Sequence, residues 1–195
     1  MILRVIRGRG EAEQLEALRR ALSERPGSGT PDVAGPIRMH LGCRPSKSRM
    51  DVLVISFWPS AEAAAQGDKW KTSPLAIAQR HLEGCEAEHF EVDDTLLRRS
   101  DDEPVAIRVA TGRFSRPGAD IEMLELLRQR MPFVGDDMCE AYVGRRIVDR
   151  AVEVTFVSAW RRLPPDRRLE DTFWQDIALR YDDFEVEVYL AIPCI

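Results

Sequence analysis

The side chains best suited to moving a proton are His40 and Tyr142. A neutral imidazole and a phenol can each exchange a proton with a bound molecule. They stand at matching places in two strand-like segments, Ile37–Arg44 and Cys139–Arg146. Strand alternation puts Ile37, Met39, Leu41 and Cys43 on one side of the first segment, and Arg38, His40 and Arg44 on the other. Facing inward, His40 and Tyr142 would serve an enclosed catalytic site. On an exposed edge-strand face they would only meet water. Arg4 and Arg108 also occupy equal places, each flanked by apolar residues in a short β-rich run. They can hold an anionic ligand, or they can pair across strands with Glu86 or Glu88, and with Glu185 or Glu187. Trp58 and Trp70 are candidates for an aromatic-ligand surface, and packing of helix on sheet would use tryptophans in the same way.

Three apparent motifs carry less. Gly8-Arg9-Gly10 follows a strand-like run, but Glu13 stands where a dinucleotide loop needs its third glycine. His81, Cys85 and His89 have helical ligand spacing, yet Gly84 should end the helix first, and no metal is expected. With three histidines in the chain, no Ser-His-Asp order or nucleophile elbow can be assembled.

These residues sit in a chain that repeats itself. Gly42, Val52, Ser56 and Trp58 recur without a gap as Gly144, Val154, Ser158 and Trp160. Arg4-Val5 with Gly8-Arg9 recurs as Arg108-Val109 with Gly112-Arg113, and Trp70 matches Trp174. The first copy reads as a strand at Ile2–Arg7 and a helix at Glu11–Leu22 with Leu15, Leu18 and Leu22 on one face. A loop at Ser23–Pro36 follows, then a hairpin of Ile37–Arg44 and Val52–Trp58 joined by the polar Pro45–Met50. Ser60 is the expected N-cap of an alanine-rich helix that Pro74 should bend or split. Cys85–Val92 closes the copy. The second copy follows the plan at Val105–Thr111, Asp120–Arg130, Cys139–Arg146, Val152–Trp160, Leu169–Tyr181 and Glu185–Ile192.

The expected class is therefore α+β: two ferredoxin-like βαββαβ units with antiparallel sheets, packed as a single-chain pseudo-dimeric α/β barrel. The expected boundaries are 1–94 for the first repeat, 95–104 for a linker and 105–195 for the second repeat. Each such sheet leaves one face uncovered, and the second copy can supply its cover. Further homo-oligomerisation through exposed strand edges is also open.

A net charge of -5 over 195 residues argues against a nucleic-acid partner, which would require a basic stripe. The uncharged stretch Val52–Ala61 is far short of the roughly 18 apolar residues of a membrane helix, and Met1–Arg7 does not read as a secretory signal. No membrane partner is expected. Cys43, Cys85, Cys139 and Cys194 form no Cys-x-x-Cys pair, which fits reduced thiols in a cytoplasmic protein.

The run Val54, Ile55, Ser56, Phe57, Trp58, Pro59, Ser60 with Glu62-Ala63 resembles the antibiotic-biosynthesis-monooxygenase-like family of dimeric α/β barrels. The second copy keeps Ser158 and Trp160 but continues Arg161-Arg162-Leu163-Pro164-Pro165. Where the family often shows a histidine in the following helix, Gln66-Gly67 stands here. The resemblance implies a cofactor-independent monooxygenase acting on an aromatic or haem-like small molecule, with no protein cofactor and with haem as a candidate ligand or substrate. The alternative is a non-catalytic small-molecule-binding or structural module.

Overall fold

The computed structural model describes residues 1–24, 35–98, 103–131, 136–163 and 181–193. Two compact units divide the chain: Met1–Glu91 with Tyr189–Ile195, and Val92–Val188.

Unit 1 begins with strand β1 (Ile2–Gly10), whose Leu3, Val5 and Ile6 are fully buried. Helix α1 (Ala12–Ser23) follows, opened by a capping box in which Glu11 and Gln14 satisfy each other's backbone amides. Its Leu15, Leu18 and Leu22 form the buried stripe that the 3.6-residue period demands. Strands β2 (Arg38–Ser46) and β3 (Arg49–Trp58) make a hairpin. Its connection is tighter than the sequence suggests: Pro45 pairs with Met50 and Ser46 with Arg49. Only Lys47 and Ser48 turn, with Lys47 at φ 51°. Ser60 caps α2 (Ala61–Gly67) by accepting from the Ala63 amide at 3.0 Å. Pro74 does not break a helix from within but opens a new one, α3 (Pro74–His81), at the position where its missing N–H is harmless. Ser73 caps α3.

Strand β4 (Glu83–Arg98) runs well beyond the expected Val92 and takes in residues 95–98, which the sequence assigned to a linker. In unit 1 the strand order is β4-β1-β3-β2, and the last strand of the chain, β8 (Asp183–Ile192), adds Leu190–Ile192 to β2. All these pairings are antiparallel. The helices cover one face, where Ile6, Leu41, Cys43, Val52 and Val54 meet Leu15, Leu18, Leu22, Ile77 and Ala78.

Unit 2 repeats the order with β5 (Ala106–Phe114), α4 (Ala119–Arg130), β6 (Met138–Val148) and β7 (Ala151–Trp160). Its strand order is β4-β6-β7-β5-β8. The β6–β7 turn puts Asp149 at φ 48° and Arg150 at φ 70°, the pair of left-handed residues that suits a two-residue hairpin. Ala110, Phe114, Val143, Val154 and Phe156 pack on Met123, Leu124 and Leu127 of α4. The expected helix at 169–181 lies outside the described residues except for Tyr181. The fold class is the expected one, α+β with antiparallel sheets in each unit.

Two features of unit 2 make stability predictions. Tyr181 is buried against Phe114 and Phe184, with ring centroids 4.2 Å and 4.8 Å away. Burial raises its pKa, and its hydroxyl has no hydrogen-bond partner among the described residues. An unsatisfied buried hydroxyl is costly, so Tyr181→Phe should raise stability by about 1 kcal/mol in urea unfolding. Asp182 accepts from both the Oγ and the backbone amide of Ser115, at 2.6 Å each, and these bonds hold its pKa below the usual carboxylate range. A lowered carboxylate pKa adds stability above the unfolded-state value, and the gain is lost as pH falls through the folded one. Asp182→Asn should therefore lower stability near neutrality, flatten its fall below about pH 4, and leave the two proteins alike at the acid end.

Candidate functional site

The polar centre of unit 1 is built on the helix-covered face of its sheet. Pairing register places Arg4 of β1 opposite Ser56 of β3 on one side and His89 of β4 on the other. Arg4 is 0% exposed. Its Nε donates to His89 Nε2 at 2.8 Å, and Nη2 donates to the Ala64 carbonyl at 2.9 Å. Nη2 also lies 2.8 Å from Asp68 Oδ1. The guanidinium thus sits at the C-terminal end of α2, where backbone carbonyls attract cations. Burial lowers the pKa of Arg4 and the Asp68 carboxylate opposes that fall. The group stays charged, as arginine does in proteins. Its other terminal nitrogen, Nη1, is buried and has no acceptor among the described residues.

Trp58 forms the floor of this centre. Its indole Nε1 donates to Ser56 Oγ at 3.0 Å, and Arg4 Cζ lies 4.8 Å from its ring centroid. Fully buried itself, Trp58 packs on Ile2 and Ala64. Gly67 makes room for it: a Cβ there would lie 2.3 Å from the indole Cη2. Trp70 stands beside Trp58, with centroids 6.2 Å apart and planes tilted by 52°. The short turn between α2 and α3 carries both Asp68 and Trp70.

Among the sequence candidates, Arg4, Trp58 and Trp70 come together. The expected Arg4–Glu86 or Arg4–Glu88 pair is absent. Arg4 and Glu88 point to opposite faces, because Glu88 is paired with Val5 while His89 is paired with Arg4. Glu88 makes its ion pair with Arg7 instead. Trp58 is fully buried in a core cluster with Ile2 and Ala64, as the packing reading of the tryptophans expects.

His40 lies on the other face of this sheet, paired in register with Ile55 and edge-on to Phe57 at 6.2 Å. Tyr142 belongs to unit 2, where its hydroxyl donates to Glu140 Oε2 at 2.9 Å. The solvent-exposed alternative fails for both, since His40 is 9% and Tyr142 5% exposed. The reason for His40 is that β2 is no edge: β8 pairs along Leu41–Cys43. His40 does not join the Arg4 centre.

Unit 2 repeats part of the arrangement. Arg108 pairs in register with Ser158, its Cζ is 5.2 Å from the Trp160 centroid, and Trp160 Nε1 donates to Ser158 Oγ at 2.9 Å. Residues 164–180, which include Trp174, lie outside the described residues.

Sequence reasoning missed Asp68 and His89. His89 was weighed only as a metal ligand with His81 and Cys85. That motif dissolves, because α3 ends at His81, Gly84 turns at φ 60° and His89 belongs to β4. Among the described residues no group of His, Cys, Asp and Glu is placed to hold a metal ion. The signal for His89 was the β1–β4 register, which alternation alone does not fix.

No protein-family model and no curated protein matches the chain. Solved structures do. A provisionally assigned monooxygenase from Fusobacterium nucleatum aligns over 98% of this chain and 92% of its own, at TM-score 0.67 and 14% identity. An anthrone oxidase-like protein aligns over 98% and 91%, at TM-score 0.62 and 14% identity. The chain shares the fold of these proteins. Another provisionally assigned monooxygenase, from Lactobacillus acidophilus, aligns over 97% and 93%, at TM-score 0.64 and 9% identity. At such identities the likeness establishes the fold and leaves the chemistry to the residues.

Proposed function

We propose that the chain is a cofactor-independent monooxygenase that oxidises a planar aromatic small molecule at the Arg4 centre of unit 1. The observation that carries this is the buried Arg4 nitrogen Nη1, which has no acceptor among the described residues while the guanidinium stacks on Trp58. Buried donors are almost always paired, so a ligand oxygen at Nη1 completes the site. An aromatic ring beside that oxygen finds Trp58 and Trp70 as its surface.

The similarity in fold to monooxygenases and to an anthrone oxidase-like protein supports the reaction class. With no protein cofactor, the substrate supplies the electrons. A methylene activated by a neighbouring carbonyl loses a proton, and Arg4 Nη1 holds the oxyanion that forms. Four electrons then pass to dioxygen as the two C–H bonds become C=O. One oxygen atom stays in the product, and the other leaves as water. Asp68, 33% exposed beside the guanidinium, is the proton-accepting group nearest to Arg4. His40 remains a base only for a ligand on the opposite face, and unchanged turnover in His40→Ala would remove it.

Haem fits the Arg4 centre poorly, because the imidazole there already presents Nε2 to Arg4. No step is drawn through it. Among the described residues no helix is long and apolar enough to cross a membrane. Free Cys43 and Cys85, both with pKa values raised by burial, support a cytoplasmic setting.

Oxygen uptake on a panel of keto- and hydroxy-arenes tests the proposal. Uptake of one dioxygen per substrate, with one isotopically labelled oxygen retained in the product, is the expected result. Saturable quenching of tryptophan fluorescence without uptake would instead make the protein a non-catalytic binder.

A further inference from the structure

The Arg4 centre carries information about the charge of what it binds. Arginine has five N–H donors in a rigid fork. Three of them are engaged: Nε by His89, and Nη2 by the Ala64 carbonyl and the Asp68 carboxylate. The two on Nη1 are left, and that atom is buried. The site therefore offers strong donors but little net positive charge. Asp68, 2.8 Å from Nη2, neutralises the guanidinium, and the C-terminal end of α2 adds carbonyl dipoles of the same sign as the carboxylate.

Resting on the reading of this centre as an aromatic-ligand site, we propose that the Arg4–Asp68 pair selects an uncharged acceptor oxygen, a carbonyl on a planar ring, and that Asp68 excludes carboxylates. A carboxylate brought to Nη1 would share one guanidinium with Asp68 in a place shielded from water. Its lost hydration would be repaid only in part. A carbonyl oxygen carries no such cost. It still accepts a charge-assisted bond, and it gains strength from Arg4 as negative charge develops on it.

Three probes that share the two-ring naphthalene system and are similar in size separate the possibilities: 2-acetylnaphthalene, 2-naphthoate and 2-ethylnaphthalene, titrated against the full chain by fluorescence and calorimetry. Wild type should bind the ketone about tenfold more tightly than the alkyl probe, with the carboxylate weaker than the ketone. Arg4→Met should bring the ketone and alkyl probes to equal affinity. Asp68→Asn leaves Arg4 in place with its charge uncompensated, and should tighten 2-naphthoate about tenfold while moving the ketone little. That second variant keeps the test open if Arg4→Met folds poorly. Wild-type preference for the carboxylate over the ketone would overturn the charge selection. Equal binding of ketone and alkyl probes would remove Arg4 as the selector while leaving an aromatic site intact. No binding of any probe to wild type would remove that site, and this inference with it.

Discussion

Replacing Gly112 with alanine should destabilise unit 2 by about 3 kcal/mol or leave it unable to hold its native packing. Gly112 lies in β5 with the ring of Tyr181 laid directly on its α-carbon. An added Cβ would stand 1.8 Å from the ring's Cδ1 and 2.1 Å from Cε1. The ring has little freedom to retreat, being stacked on Phe114 and packed on Phe184. Nor does a gain in β-propensity compensate, because it amounts to less than about 1 kcal/mol. Urea unfolding monitored by near-ultraviolet circular dichroism gives the comparison. The double variant Gly112→Ala/Tyr181→Leu should recover part of the loss, since the flexible chain yields where the ring cannot. A Gly112→Ala protein within about 0.5 kcal/mol of wild type would show that the ring does not rest on this glycine.

Arg4→Met should have the opposite profile, with activity lost and stability kept. The guanidinium is wholly buried, with one nitrogen unsatisfied and the pKa lowered by burial. Methionine has similar length and no charge to desolvate. Removing one member of a buried ion pair is costly when the other is left buried without a partner. The partners do not become buried orphans, because Asp68 is 33% and His89 43% exposed and both can turn to water. Stability should therefore stay within about 2 kcal/mol of wild type. If Arg4 Nη1 holds the developing oxyanion, oxygen uptake should fall roughly 10²- to 10³-fold, mostly in kcat. A large loss of stability with unchanged uptake would make Arg4 a structural residue. Trp58→Ala does not separate these roles, since Trp58 is both the floor of the site and core.

The sequence showed the strands, the helix faces and their repetition, because these follow from short periods that any window of residues displays. Leu15, Leu18 and Leu22 announce their face by spacing alone. The repeated Gly8 and Gly112 were visible as matches, but not their reason. In unit 1 the glycine faces Leu82 and Cys85, and in unit 2 it faces Tyr181. Which residue covers a glycine depends on contacts distant in sequence. Register across distant strands was equally hidden. A shift of one residue between β1 and β4 exchanges His89 for Glu88 as the neighbour of Arg4, and with it an imidazole for the carboxylate that was expected. The burial of His40 depends on β8, which follows it by more than a hundred residues and covers the edge that β2 would otherwise expose. Asp68 had no signal, because it is a polar residue in a turn that reads as solvated surface until the helix before it is set against Arg4.

A crystal structure of the protein grown with saturating 2-acetylnaphthalene decides whether Arg4 Nη1 receives the oxygen of a planar aromatic ligand in unit 1. The probe's carbonyl oxygen is expected about 3 Å from Arg4 Nη1, with its rings against Trp58 and Trp70. A probe bound away from Arg4 would overturn that assignment.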